Sequence, residues 1–247
     1  MEPLTTLARW IREAQRIVFL TGAGISTDSG IPDFRSDDGL WTKDPDLPQK
    51  LSRMYFHHRP KEFWKVFRQA FPIEELAKAN PNEGHRFLAE LEKMGKDVVV
   101  ITQNIDGLHQ KAGSRNVLEL HGTLFSATCP TCNAVYSLPM EEDVPRCTQE
   151  RPKGVCGSIL KPDVVLFGDP VQHFQEAVER TQHADLFVAM GTSLEVSPAN
   201  AFPLYAKGKK VLINRDETLM DGHFDLVIRD AIRDVISAIQ NELPLRH

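Results

Sequence analysis

The stretch IVFLTGAGIS, residues 17–26, is a short apolar run that passes directly into a loop with two close glycines. The β-favouring residues 17–20 predict a buried strand. Upstream of them, apolar residues recur at helical spacing at positions 4, 7, 8, 11 and 14, which predicts a helix. This part of the chain is therefore predicted to fold as helix, buried strand and glycine loop.

The same alternation returns further along the chain. Apolar residues at helical spacing from Phe87 to Met94, followed by Gly95, predict a helix, and the next strand is predicted at residues 98–101. Further buried strands are predicted at residues 186–190 and 211–213, and a last helix around residues 232–239. Alternating strands and helices are typical of an α/β fold, whose parallel sheet binds ligands at the carboxyl ends of its strands.

Two segments interrupt this alternation and are interpreted as insertions. Residues 44–81 are rich in aromatic residues and proline, and Phe63, Trp64 and Phe67 share one helical face after Pro60, which predicts a small helical module. Residues 128–160 carry all four cysteines. The large domain is therefore predicted to comprise residues 1–43, 82–127 and 161–247, and the two insertions form a smaller domain.

The composition is that of an ordinary globular protein. The 247 residues are 41% hydrophobic and 26% charged, and no segment approaches the run of about 18 apolar residues that a membrane span needs. Residues 1–6 lack the pattern of a secretory signal, so we expect a cytoplasmic protein. The net charge of −5 gives no overall attraction to phosphate backbones, which disfavours a nucleic-acid partner.

The glycine loop is a candidate dinucleotide site. Gly22 and Gly24 would let backbone N–H groups approach a pyrophosphate at a helix start. However, Thr27 stands where the dinucleotide fingerprint has its third glycine, and no ribose-binding acid follows at the expected spacing, which disfavours a dehydrogenase. A tight strand-to-helix turn without a ligand remains an alternative. Next along the chain, Phe34 and Arg35 are expected beside this site, where Phe34 would shield a reactive sugar from water.

Polar residues also follow the strand at 98–101. Gln103, Asn104 and Asp106 suit a carboxamide and ribose hydroxyls, although they also suit a polar turn that caps the next helix. His121 follows the apolar run 117–120 and precedes Gly122, so it is predicted at a strand end. It is the best candidate for a general base, because an imidazole with a pKa near 6.5 accepts protons at neutral pH. A purely structural histidine is the alternative.

The four cysteines favour a structural zinc site. Cys129 and Cys132 form a tight pair, and Cys147 and Cys156 form a second pair with eight intervening residues, more than the usual two to four. Four thiolates leave zinc no open coordination position, so this site would stabilise the insertion without catalysing anything. Unpaired thiols or a redox pair are the alternatives, but the flanking residues are typical of hairpin arms.

Two late segments complete the set of candidate sites. Residues 163–169 are predicted at an exposed sheet edge, and residues 191–198 supply small hydroxylated residues after a buried strand. The second segment suits a phosphate, and the two together would clamp a peptide by adding it as a strand. Two ordinary edge loops are the alternative.

In this order, these motifs closely resemble the sirtuins, the NAD-dependent protein lysine deacylases. The resemblance extends over nearly the whole chain, from Gly22 through Leu120, His121 and Gly122 to Gly191, Thr192 and Ser193. It implies a Rossmann-type large domain, a small domain with one structural zinc, and a cleft between them for NAD and acyl-lysine. The partners it implies are acetylated proteins or peptides, and we expect a monomer.

The resemblance also implies a reaction, in which the acyl oxygen attacks the ribose carbon that bears nicotinamide and nicotinamide leaves. His121 would then deprotonate the ribose hydroxyl system, and water would complete the conversion to lysine and O-acyl-ADP-ribose. Ile105 and Asp106 would hold the nicotinamide carboxamide, and Gln103 and Asn104 would order ribose and water, so that Asn104 is expected to be catalytic together with His121.

Residue by residue, the resemblance implies two further sets of contacts. The dinucleotide would contact Gly22, Ala23, Gly24, Thr27, Arg35, Gly191, Thr192, Ser193, Asn214, Arg215 and Ala231. The acyl-peptide would contact Val165, Phe167, Gly168 and Val196. Asp169 stands where the family commonly has glutamate.

The acyl group is expected to be neutral. Family members that prefer succinyl or malonyl groups carry a tyrosine and an arginine three residues apart, and Trp64 and Phe67 stand there in this chain. An acyl carboxylate would be buried without a partner, so acetyl is expected to be preferred. Two other functions stay open: mono-ADP-ribosyl transfer to a protein, and a zinc-stabilised adaptor that binds NAD or acyl-lysine without turnover.

Overall fold

The computed structural model describes residues 2–32 and 44–243, and Phe34 and Arg35 lie outside them. Within the described residues the strands are β1 (Arg16–Thr21), β2 (Asp97–Thr102), β3 (Val117–Glu119), β4 (Gly122–Thr128), β5 (Val135–Ser137), β6 (Glu150–Arg151), β7 (Gly154–Val155), β8 (Lys161–Val164), β9 (Leu186–Met190), β10 (Lys209–Ile213) and β11 (Leu226–Ile228). The helices are α1 (Glu2–Glu13), α2 (Leu47–Lys50), α3 (Arg53–His58), α4 (Pro60–Ala70), α5 (Ile73–Leu76), α6 (Glu83–Lys93), α7 (Leu108–Ala112), α8 (Phe174–Gln182), α9 (Phe202–Tyr205) and α10 (Ile232–Gln240). None of these helices has the length and apolar character needed to cross a membrane.

The main sheet has six parallel strands in the order β11, β10, β9, β1, β2, β3. From β1 the chain builds outward through β2 and β3 on one side and through β9, β10 and β11 on the other. The strand order therefore reverses between β1 and β9, where α/β sheets of this kind bind their ligands. The α/β, Rossmann-type architecture predicted from the sequence is confirmed.

Both faces of the sheet are covered, which explains why its strands are continuously apolar. Ile17 and Phe19 pack in one core with residues of α1, α6 and α10, and Val18 and Leu20 pack in a second core with residues of α8 and α9. Successive side chains of a strand point to opposite faces, so every residue of β1 after Arg16 is buried.

A third core lies outside the main sheet. It joins aromatic residues of α3 and α4 to the antiparallel sheet of β5, β4 and β8, and Cys129 and Cys147 belong to it. Leu124, Ala127, Val164 and Leu166 also pack here, so β4 and β8 share this core with the two predicted insertions. The predicted division into a large and a small domain stays a prediction.

Candidate active site

A cavity of about 980 Å³ opens at the carboxyl ends of the parallel strands. Its walls come from the loops after β1, β2, β9 and β10, from His121 after β3, and from residues 164–169, which comprise the last residue of β8 and the segment after it. The cavity therefore brings together most of the predicted site residues: Gly22, Ala23, Gly24, Thr27, Gln103, Asn104, Ile105, His121, Val165, Phe167, Gly168, Gly191, Thr192, Ser193, Val196, Asn214 and Arg215.

Two of the predicted residues in the described part of the chain lie behind the cavity wall. Ala231 is buried between the lining residues Asp230 and Ile232. Asp106 is buried below Ile105, and its carboxylate accepts hydrogen bonds from Ser26 Oγ at 2.7 Å and from the Leu108 amide at 2.9 Å. Asp106 thus caps the first turn of α7 and also contacts the glycine loop.

The two glycines after β1 are required by the neighbouring loop. A Cβ on Gly22 would lie 2.8 Å from the Gly191 oxygen, and a Cβ on Gly24 would lie 2.8 Å from the Gly191 Cα. The Gly24 amide donates to the Gly191 carbonyl at 2.9 Å. This N–H is therefore used between loops, and the expected helix start is instead two 3-10 turns, Ala23–Ile25 and Thr27–Ser29.

A polar network fixes several of the residues that line the cavity. Asn104 Nδ2 donates to the Gly22 carbonyl at 3.0 Å and to Ser26 Oγ at 3.2 Å. Gln103 Nε2 donates to Thr192 Oγ1 at 3.0 Å. The loop after β2 is therefore bonded to the loops after β1 and β9, and its side chains are held in one arrangement.

Two further histidines belong to this network, although the sequence analysis identified only His121 as a histidine of the site. His85 Nε2 lies 3.3 Å from Ser26 Oγ, and His109 Nε2 lies 2.9 Å from Thr21 Oγ1. Burial lowers the pKa of His85 to about 4 and lowers the pKa of His109 well below its ordinary value. Both rings are therefore neutral at physiological pH.

His121 itself faces the cavity between β3 and β4. Its Nδ1 lies 2.8 Å from the Gln103 carbonyl, so in the neutral ring Nδ1 carries the proton and Nε2 is an acceptor. Burial lowers the pKa of His121, and the hydrogen bond to the Gln103 carbonyl opposes this shift. The geometry and the lowered pKa both suit a group that accepts a proton.

Residues 165–168 form an extended wall of the cavity next to His121. The Val165 amide donates to the His121 carbonyl at 2.8 Å. Phe167 pairs in parallel with Ser52 and is half exposed toward solvent. Val196 lines the same cavity from the loop after β9, so the two segments predicted to clamp a peptide do share one cleft.

The helical insertion closes the cavity with apolar side chains. Leu51, Phe67 and Phe71 line it, whereas Trp64 is buried in the third core and donates Nε1 to the Leu160 carbonyl at 2.9 Å. Among the described cavity-lining residues, those of segment 44–81 carry no charge. This end of the cavity favours a neutral group.

The four cysteine sulfurs fit one zinc ion. All four lie within 4.8 Å of one another, with 3.8 Å between Cys129 and Cys156 and 3.4 Å between Cys132 and Cys147. Zn–S bonds of about 2.3 Å in a tetrahedron place sulfurs roughly 3.8 Å apart. The wide second spacing has a simple cause, because β6 and β7 form a hairpin between Cys147 and Cys156.

Asn82 is a residue of the site that the sequence analysis did not identify. Asn82 lines the cavity and donates Nδ2 to the Ile25 carbonyl at 2.7 Å and to Ser29 Oγ at 3.0 Å. It also begins α6 as half of a capping box with His85. An asparagine three residues before a histidine and ahead of an apolar helical run is a capping signal, but it does not reveal which loop the cap contacts.

Comparisons with known proteins agree with this geometry. The model of the Sir2 family matches residues 22–198. An NAD-dependent protein deacetylase of Bacillus subtilis is 51% identical, over 93% of this chain and 96% of its own length. NAD-dependent protein deacetylase 2 of Geobacillus kaustophilus is 48% identical, over 98% of this chain and 99% of its own length. A solved Sir2 structure with deacetylated p53 peptide and 3′-O-acetyl-ADP-ribose has a TM-score of 0.85 at 34% identity, covering 97% of this chain and 98% of its own. A Sir2 homologue in complex with NAD has a TM-score of 0.82 at 36% identity, covering 96% and 92%.

Proposed function

The chain belongs to the Sir2 family and is an NAD-dependent protein deacetylase, in which we propose that His121 is the general base. One observation carries this assignment. His121 donates Nδ1–H to the Gln103 carbonyl, and it lines the same cavity as the glycine loop and the extended residues 165–168. A proton acceptor therefore lies between the predicted dinucleotide and peptide sites.

The protonation state of His121 supports this role. Its pKa is lowered by burial, so the ring is neutral at pH 7 and Nε2 accepts a proton. NAD supplies the electrophilic ribose carbon and the nicotinamide leaving group. The part played by His121 is to accept a proton from a ribose hydroxyl.

We assign Asn104 and Asp106 to positioning at the ribose and nicotinamide. The two hydrogen bonds of Asn104 Nδ2 fix its side chain at the cavity wall, where it would order ribose and water. Burial raises the pKa of Asp106, while the hydrogen bonds from Leu108 and Ser26 oppose that shift. Ile105 lines the cavity and Asp106 lies behind it, so Asp106 would hold the nicotinamide carboxamide through its backbone or after a shift of its carboxylate.

The remaining dinucleotide contacts follow the loops after the parallel strands. The residues proposed are Gly22, Ala23, Gly24, Thr27, Gln103, Gly191, Thr192, Ser193, Asn214 and Arg215, all of which line the cavity. Ala231 lies behind the wall, so a contact from it would involve backbone or a shift of the neighbouring residues. Phe34 and Arg35 stay predictions, because they lie outside the described residues.

The substrate is an acetylated protein or peptide, and we propose that it lies between Val165, Phe167 and Gly168 on one side and Val196 on the other. Because Leu51, Phe67 and Phe71 are apolar, acetyl groups are expected to react faster than succinyl groups. The zinc site stabilises the small domain. We also propose a cytoplasmic location and a monomeric state, and no nucleic-acid partner, because the net charge of −5 disfavours binding to phosphate backbones.

The test is a product analysis. The protein is incubated with NAD and matched acetyl-lysine and succinyl-lysine peptides, and the products are identified by mass spectrometry. Deacetylation requires free lysine peptide, nicotinamide and O-acetyl-ADP-ribose in equal amounts. A protein that gains ADP-ribose without acyl loss would favour mono-ADP-ribosyl transfer, and NAD binding without nicotinamide release would favour an adaptor. Faster loss of succinyl would overturn the proposed acyl preference.

A further inference from the structure

The turn that ends the proposed peptide-binding segment is closed by Asp169. The Asp169 amide donates to the Leu166 carbonyl at 2.9 Å, and the Leu166 amide donates to Asp169 Oδ2 at 3.2 Å. Gly168, at the third position of this turn, has φ of +93°, as a type II turn requires. Asp169 therefore closes the turn that presents Phe167 and Gly168 to the cavity twice, once through its backbone amide and once through its carboxylate.

Two cations from different parts of the chain hold this carboxylate in place. Lys161 of β8 lies 2.9 Å from Asp169 Oδ2, and Arg53 of α3 lies 3.8 Å from Oδ1. The Asp169 side chain is only 13% exposed and that of Lys161 28%, so their pair is screened less than a surface pair, whereas the more exposed Arg53 adds a weaker attraction. Asp169 thus connects the peptide-binding turn to the edge strand and to the helical insertion.

The backbone contacts of the same segment reach both cavity walls. The Phe167 carbonyl accepts a hydrogen bond from the Arg53 amide at 2.9 Å, and the Phe167 amide donates to the Leu51 carbonyl at 3.2 Å. Two residues earlier, Val165 donates to the His121 carbonyl. A change in the shape of the turn would therefore alter the register of residues 165–168 against an incoming peptide strand.

We infer that Asp169 is a positioning residue for substrate: it holds residues 165–168 in the shape that accepts an acyl-lysine peptide, and Lys161 and Arg53 hold its carboxylate. The inference rests on the proposed peptide cleft. It also gives a reason for an acidic residue at this position, where the family commonly has glutamate. The carboxylate acts through the turn and does not touch the reacting atoms.

The test compares Asp169→Ala, Asp169→Asn and Asp169→Glu by fluorescence anisotropy with a labelled acetyl-lysine peptide, and by KM for peptide and for NAD. Asp169→Ala should weaken peptide binding by about tenfold, since it removes a charge-assisted hydrogen bond and two ion pairs that order the cleft. NAD affinity should stay within about twofold, because the turn and the loops after β1 and β9 are separate elements. Asp169→Glu should restore most of the peptide affinity, and Asp169→Asn should fall between.

Asp185→Ala is the matched control. Asp185 also accepts backbone N–H groups, from Gln15 and Arg16, and pairs with the Arg16 guanidinium at 2.7 Å, but it precedes β9 and so lies at the amino ends of the strands, opposite the cavity. This variant should lower the melting temperature and leave peptide affinity unchanged. If Asp169→Ala fails to fold, Asp169→Asn and Lys161→Met test the inference instead. For each of them the loss of peptide affinity is compared with the loss of NAD affinity, and peptide affinity should fall more.

Three results would overturn the inference: wild-type peptide affinity in Asp169→Ala, equal losses for peptide and NAD, or no rescue by glutamate. Failure of the proposed function is a separate outcome. In that case the wild-type protein would bind the acetyl-lysine peptide without releasing nicotinamide from NAD.

Discussion

Replacing Gly191 with alanine tests whether close packing of two loops builds the NAD site. Gly191 has φ of +62°, and a Cβ there would lie 2.5 Å from the Ile25 nitrogen and 2.7 Å from the Gly24 carbonyl carbon. Both atoms are backbone, so neither can move aside as the end of a flexible side chain would. The loops after β1 and β9 would have to separate.

A matched glycine distinguishes this overlap from the cost of the backbone conformation. Gly95 has φ of +89°, and a Cβ added there would meet open space within 4 Å, so Gly95→Ala carries the conformational cost alone. That cost is about 1 kcal/mol, whereas overpacking adds about 1–3 kcal/mol, so Gly191→Ala should lose about 2–4 kcal/mol of unfolding free energy. The separated loops supply proposed dinucleotide contacts, so NAD affinity should also fall, by about tenfold, which corresponds to about 1.4 kcal/mol of binding free energy.

Denaturant unfolding measures the stability of both variants, and calorimetric titration measures their affinity for NAD. Gly95→Ala should bind NAD like the wild type. If Gly191→Ala matched Gly95→Ala in both measurements, the close approach of the two loops would not be a requirement of the site, and the explanation given for the glycines at 22 and 24 would be wrong.

Three further predictions concern zinc, acid stability and the pH dependence of the reaction. Cys147→Ser removes one of the four sulfurs, so elemental analysis should find little zinc and the melting temperature should drop; one zinc per chain would argue against a four-cysteine site. The folded-state pKa of His85 is about 4 and unfolded histidine titrates near 6.5, so the unfolded state binds more protons between these values. The unfolding free energy should therefore fall as the pH falls from about 6.5 to about 4. His85→Gln should make the denaturation midpoint depend less steeply on pH, and an unchanged dependence would contradict a contribution of His85. Because burial lowers the pKa of His121, the pH at which kcat/KM for deacetylation falls to half its maximum should lie below the ordinary histidine value of about 6.5, and a midpoint above that value would oppose the assignment.

Much of the fold was predictable because its strands are buried on both faces. Continuous apolar runs at β1, β2 and β9 show in the sequence without knowledge of their neighbours. Loops at the carboxyl ends of such strands converge, so the sequence also indicated that Gly22, Asn104 and His121 share a site.

The less predictable features depend on contacts between distant segments. His85 lies on a helix whose apolar spacing predicts a buried face, but spacing does not show that the N-terminus of this helix packs against Ser26. The glycines at 22 and 24 resemble a phosphate loop in sequence, yet a contact with Gly191, more than 160 residues away, explains their lack of side chains. Likewise, the ion pair between Arg53 and Asp169 joins residues that lie far apart in the sequence.

The most direct test compares the deacetylation rates of His121→Ala and the wild type with NAD and an acetyl-lysine peptide. Calorimetric measurement of NAD binding is the control that the cavity is intact. Loss of the general base should reduce the rate by about 10²- to 10⁴-fold, with NAD affinity and melting temperature near those of the wild type. A variant that releases lysine peptide and O-acetyl-ADP-ribose at the wild-type rate would contradict the assignment of His121.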